Sequence, residues 1–182
     1  MGGSRRNGGS ERSDQMKQYA HVGICLLCVQ QAEKALQSAI QTVLENESVK
    51  LLEQSEPERK QTLGDFLKKL KRRVKLPLHV KENLYTFLKM RNRLVHGFDF
   101  ELRTEHGSEA AKLFLLELSL RALGTTGLVT ALFQVWARDE HDTEFFEVED
   151  EHTRQIIKTF EKQFGSMARE ILAGRSKVPP QQ

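Results

Sequence analysis

Residues 29–44 read VQQAEKALQSAIQTVL. Val29, Ala32, Leu36, Ala39 and Val43 recur at alternating steps of three and four, with Ile40 and Leu44 widening the stripe. That spacing puts them on one face of an α-helix, whereas a half-buried strand would alternate at every second residue. The pattern predicts one long first helix over about 16–46. Residues 22–29 are apolar nearly all round, so more than one neighbour should cover them.

The same period governs the rest of the chain. Thr62 can cap a second helix, LGDFLKKLKRRV, with Asp65 in the capping-box position. It would bury Leu63, Phe66, Leu67 and Leu70 and turn Lys68, Lys69, Lys71, Arg72 and Arg73 to other faces. Pro77 ends it and opens a third helix over about 78–95. Ser108 caps a long apolar helix over about 109–137, in which Gly124-Thr125-Thr126-Gly127 predicts a kink or the close approach of another helix. The last helix carries Ile156, Ile157, Phe160, Phe164, Met167 and Ile171 on one stripe, and Gly174 ends it. Almost nothing alternates with period two, and no repeat is visible. The expected fold is all-α, a single-domain bundle of about five helices over 16–174. A Gly/Ser/Arg-rich disordered tail precedes it at 1–15, and a flexible tail follows at 175–182.

A chain of 182 residues can bury a real core. Its net charge of +3 names no partner. The distribution says more: twelve Lys or Arg against two acids over 59–93, then eight acids and no Lys or Arg over 139–151. A molecule polarised in this way can present a basic surface to a polyanion. The acidic stretch reads as a loop with a short extended piece at Phe145-Phe146; His141 within it and His152 just after it match no metal-ligand spacing. Cys25 and Cys28 lack the second cysteine pair of a zinc site, and their helical surroundings fit core filling in a reducing compartment. The fully apolar run 22–29 is too short for a bilayer, which takes about 20 residues. Arg6 breaks the myristoylation pattern, and Arg5-Arg6 lacks a following cleavage site. The expected location is cytoplasmic, away from membranes.

The stretch 90–100, MRNRLVHGFDF, is the unusual one. At about 100° per residue, Leu84, Phe87, Leu88, Leu94 and Val95 fall within about 60° of Arg91, placing a charge at the centre of an apolar stripe. Desolvating it costs several kcal/mol unless it is paired, so the position calls for a buried ion pair, a subunit interface or a site. Asn92 and His96, at i and i+4, share one flank with Tyr85. Gly97 would let the chain turn there. Arginine suits phosphate oxygens, histidine changes charge near neutral pH, and asparagine can hold either. Together they are a kit for cleaving a phosphodiester without metal. Lys89 and Arg93 flank the motif and could position phosphates.

RNRLVH resembles the R-x4-6-H motif, with a polar residue after the arginine, of the HEPN superfamily (higher eukaryote and prokaryote nucleotide-binding domains). The order of a long first helix, a basic second one, the motif late in the third and then a long apolar helix is also similar, over roughly 16–137. The resemblance implies a homodimer whose two motifs line one cleft and cut RNA without a cofactor, leaving a 2′,3′-cyclic phosphate. It assigns catalysis to Arg91, Asn92 and His96, and a toxin or antiviral role with an antitoxin or regulatory protein as a further partner. Phe98 departs from members with R-x4-H-x-Y, whose tyrosine is modified by a nucleotidyltransferase. The alternative is a non-catalytic HEPN module that binds a nucleotide, RNA or a partner protein. A plain helical scaffold would need a carboxylate to account for Arg91.

Overall fold

The computed structural model describes residues 8–44, 74, 76–102, 107–146 and 148–175. Four α-helices account for most of them: α1 (Gly8–Ala39), α2 (Leu78–Leu102), α3 (Gly107–His141) and α4 (Glu151–Ala173). A five-residue π-helical turn, Ile40–Leu44, extends α1. Among the described residues there is no strand, only an isolated bridge between Val74 and Arg175. The all-α class therefore holds. The predicted basic helix, with Lys68, Lys69, Lys71, Arg72 and Arg73, lies outside the described residues.

Three boundaries differ from expectation, one of them the end of α3, which runs to His141 and so into the acidic stretch read as a loop. α1 starts at Gly8, inside the stretch read as a disordered tail. Glu11, Arg12, Gln15 and Lys17 are good helix formers, and a formed helix extends at one hydrogen bond per residue fixed. α2 does not turn at Gly97 but continues to Leu102. A single interior glycine costs only about 1 kcal/mol relative to alanine, too little to stop a propagating helix.

The centre of the molecule is α3. From Leu128 to Val135 every side chain is buried except Thr130, which is half-buried. A helix buried all round needs neighbours on every side, and α1, α2 and α4 all pack against it. The Cys25 thiol donates to the Leu115 carbonyl at 3.6 Å, and Arg175 joins the Val43 carbonyl to Glu140 further on, so α1 and α3 run in the same direction. Asn83 meets Arg121 and Arg93 lies over Phe114, so α2 runs the opposite way. By length and composition the span Glu109–His141 is also apolar enough to cross a bilayer, unlike the short run at 22–29. Leu113, Leu116, Leu120 and Leu123 leave its first half apolar on the exposed side.

The GTTG segment does not kink α3, which runs unbroken through it. Thr125 and Thr126 donate their hydroxyls to the Arg121 and Ala122 carbonyls one turn back, at 2.8 and 3.1 Å. The close approach is real. A Cβ on Gly127 would stand 2.7 Å from Phe164 Cε2 and 2.8 Å from Phe160 Cδ1, so two rings of α4 rest directly on the α3 backbone. Only glycine leaves them that room.

The acidic connection is pinned by its aromatic pair, with no strand at Phe145-Phe146. Phe145 stacks on Phe133 at 4.4 Å between centroids, and Phe146 meets both rings edge-on. The Phe145 amide donates to Oε1 of buried Gln134 at 3.0 Å. Asp150 then caps α4 by accepting from the Thr153 amide and hydroxyl, which holds its exposed carboxyl below the usual range. Cys25 is buried, Cys28 is half-buried and both are free, and burial pushes the Cys25 thiol up.

Replacing Gly127 by alanine should lower unfolding stability by about 1–3 kcal/mol through overpacking against Phe160 and Phe164. Gly124→Ala, where nothing lies within 4 Å of the new methyl, should be neutral or stabilise by up to about 1 kcal/mol. Urea denaturation of the two variants beside the parent reads the difference.

Candidate functional site

The motif lies on α2, whose buried face is Val80, Leu84, Phe87, Met90 and Leu94. Their steps of four, three, three and four centre that face about 40° from Arg91. Arg91 is therefore half-buried on the flank of the stripe rather than at its middle, and Val95, beyond it, is exposed. The side chain enters the seam between α2 and α1.

A carboxylate waits there. Arg91 Nε donates to Glu33 Oε1 at 2.6 Å, with about a quarter of each side chain still exposed. Arg91 Nη1 donates to Asn92 Oδ1 at 3.2 Å. The guanidinium is thus held on two edges, by the acid of α1 and by the amide next to it, while its remaining N–H groups are uncommitted by these two bonds. A planar, fixed-charge fork held this way is pre-organised for an anion arriving from solvent.

Asn92 and His96 are exposed on the outer flank of α2, one turn apart, and half-exposed Tyr85 projects to the same flank. Because α2 stays helical past Gly97, Arg91 and His96 are about 140° apart around the axis and about 7.5 Å apart along it. Asn92 lies between them, bonded to Arg91 and aligned with His96. Within one chain the arginine and the imidazole therefore leave α2 at diverging positions, with Asn92 on the arc between them.

The flanking cations divide. Lys89 is exposed on α2. Arg93 sits with its guanidinium carbon 5.0 Å from the Phe114 ring centroid, where the ring's negative face attracts it and draws it towards α3. Phe98 lies where no side chain is described. His141 packs edge-on against Trp136 at 4.6 Å. Among the described residues no group of three His, Cys, Asp or Glu side chains gathers as a metal site.

No family model, curated protein or solved structure matches the chain. The site must therefore be read from its own chemistry. Glu33 is the residue that reasoning from α2 alone missed. It had a signal: it is the only acid between Met16 and Leu44, on the helix residue next to buried Ala32.

Replacing either Glu33 or Arg91 by alanine should destabilise the fold by about 1–2 kcal/mol, with a coupling of about 1 kcal/mol in the double-mutant cycle. Measuring the cycle again in high salt should shrink the coupling only in part, since the pair is mostly shielded from solvent.

Proposed function

We propose that this chain is a metal-independent endoribonuclease of HEPN type, acting as a homodimer on RNA. The observation that carries the reading is the clamped Arg91: a half-buried guanidinium fixed by Glu33 and Asn92 beside an exposed His96. Arg91 would bind the scissile phosphate and stabilise the charge growing on its oxygens. His96 would move a proton, either from the attacking 2′-hydroxyl or to the departing 5′-oxygen. Attack of O2′ on phosphorus breaks the bond to O5′ and leaves a 2′,3′-cyclic phosphate. Asn92 would keep the guanidinium oriented, and Lys89 would add charge along the backbone path.

The divergence of Arg91 and His96 around α2 favours a composite centre, in which one copy's arginine works with the other copy's histidine. Tyr85 and Val95, large apolar side chains 45% and 49% exposed beside the motif, supply surface for such a pairing. A toxin or antiviral role, an antitoxin or regulatory partner and a cytoplasmic setting belong to the same proposal through the resemblance alone.

The Glu33 pair also favours a second reading. It is the carboxylate that a purely structural account of Arg91 needs, tying α1 to α2 in a scaffold or binding module without chemistry. The two readings part at His96, which is exposed and which a tie between helices does not require.

Incubation with total RNA in excess chelator should yield fragments ending in cyclic phosphate, and His96→Ala should remove at least about 100-fold of the rate, the usual worth of a general acid or base, with the fold intact. Intact RNA with the parent protein folded and dimeric would support the structural reading instead.

A further inference from the structure

The far flank of α2 borders a second concavity. Asn83 lies on that side, roughly 180° around the helix from Asn92 and about 13.5 Å along it. Here α2, α3 and α4 line a half-open cavity of about 350 Å3. Its walls are apolar: Val80 and Leu84 from α2, Leu128 from α3, Phe164 and Met167 from α4. Gly124 forms part of the lining, and a Cβ built on it meets nothing within 4 Å. The missing side chain opens the space.

The rim is polar at one place. Arg121 donates from Nε and Nη2 to Glu117 Oε1 at 3.0 and 2.8 Å, and from Nη1 to Asn83 Oδ1 at 3.1 Å. The arginine is the more enclosed partner, 29% exposed against 54% for Glu117, so the cation sits nearer the cavity and the acid nearer solvent. These bonds use three of five guanidinium N–H groups, leaving one on each terminal nitrogen for another acceptor. An apolar pocket with a few convergent polar groups, here Arg121 with Glu117 and Asn83, is the general form of a small-molecule site.

We propose that this cavity binds a small amphiphile: an apolar body of about a dozen heavy atoms, at roughly 30 Å3 each, with an anionic head held by Arg121. The apolar body replaces water against Val80, Leu84, Leu128, Phe164 and Met167. The head accepts the two spare N–H bonds, while Glu117 and Asn83 keep the guanidinium flat against the rim. The site is independent of the RNA-cleaving reading, because it uses the opposite flank of α2 and none of Arg91, Asn92 or His96.

Decanoate serves as the probe, below its micelle concentration, with decanol and decyltrimethylammonium as matched head-group variants. Calorimetric titration of the full chain should show saturable one-to-one binding of decanoate. Decanol should bind about tenfold more weakly, since one charge-assisted hydrogen bond is worth about that factor, and the cation should bind more weakly still. Gly124→Leu fills the open space and should abolish binding. Arg121→Gln keeps the apolar walls and should erase the preference for decanoate over decanol. Absence of saturable binding to the parent chain would overturn the proposal. So would decanoate binding unchanged in Gly124→Leu, which would assign it to the exposed leucines of α3, or an equal affinity for all three head groups.

Discussion

The molecule depends on one packing constraint, the enclosure of α3 on all sides from Leu128 to Val135. A helix buried around nearly its whole circumference cannot be satisfied by a single partner, and three others pack against it. Gly127 sets how closely one of them can come, because Phe160 and Phe164 occupy the volume a side chain would need. Once α4 rests there, Arg175 beyond its end reaches the Val43 carbonyl and Glu140, tying the end of the first helix to the end of α3. The cation meets the Val43 carbonyl, in the last described turn of the first helix, and the Glu140 carboxylate near the end of α3, where its charge is favoured. The positions of α1 and α2 follow from the same centre, and so does the seam in which Glu33 and Arg91 meet.

That seam explains why an arginine can stand where the helix pattern asks for leucine. The cost of removing a guanidinium from water is offset by a carboxylate at 2.6 Å and by an amide at 3.2 Å, with part of each charged group still wet. A merely structural tie uses Glu33 and Asn92 but would be served equally well by any residue at 96. The asparagine on the guanidinium and the histidine one turn further, both exposed, put a polar flank beside the seam. On α2 the two flanks differ in character: one bears the charged motif, the other borders the apolar cavity beside Arg121.

Much of this was legible in the sequence, because helix period is a local property. The stripes at 29–43 and 157–171, the capping of the last helix near Gly174 and the close approach at GTTG all follow from spacing and side-chain size, whereas Ile156, read onto the last stripe, is exposed. The motif residues were legible for the same reason: arginine on an apolar flank is conspicuous in one helix. What spacing could not supply was the partner across the seam. Glu33 lies 58 residues away from Arg91, and only the shared packing on α3 brings them together. Helix ends were the other gap. Gly97 and the glycines near residue 8 look like stops, yet the cost of one glycine is smaller than the gain from continuing a formed helix. Arg91's angular position shifted as well, since the buried face of α2 is fixed by where α3 lies rather than by the mean of its apolar residues.

The central claim is that Arg91 and His96, divergent on one helix, act together across two copies of the chain. The most direct measurement mixes an Arg91→Ala chain with a His96→Ala chain and follows cleavage of RNA in chelator. Each variant alone should be inactive, and the mixture should regain up to about a quarter of the parent rate, because half of randomly paired dimers then hold one intact composite centre out of two. A mixture as inactive as its components, with exchange of subunits demonstrated, would contradict a centre shared between two chains.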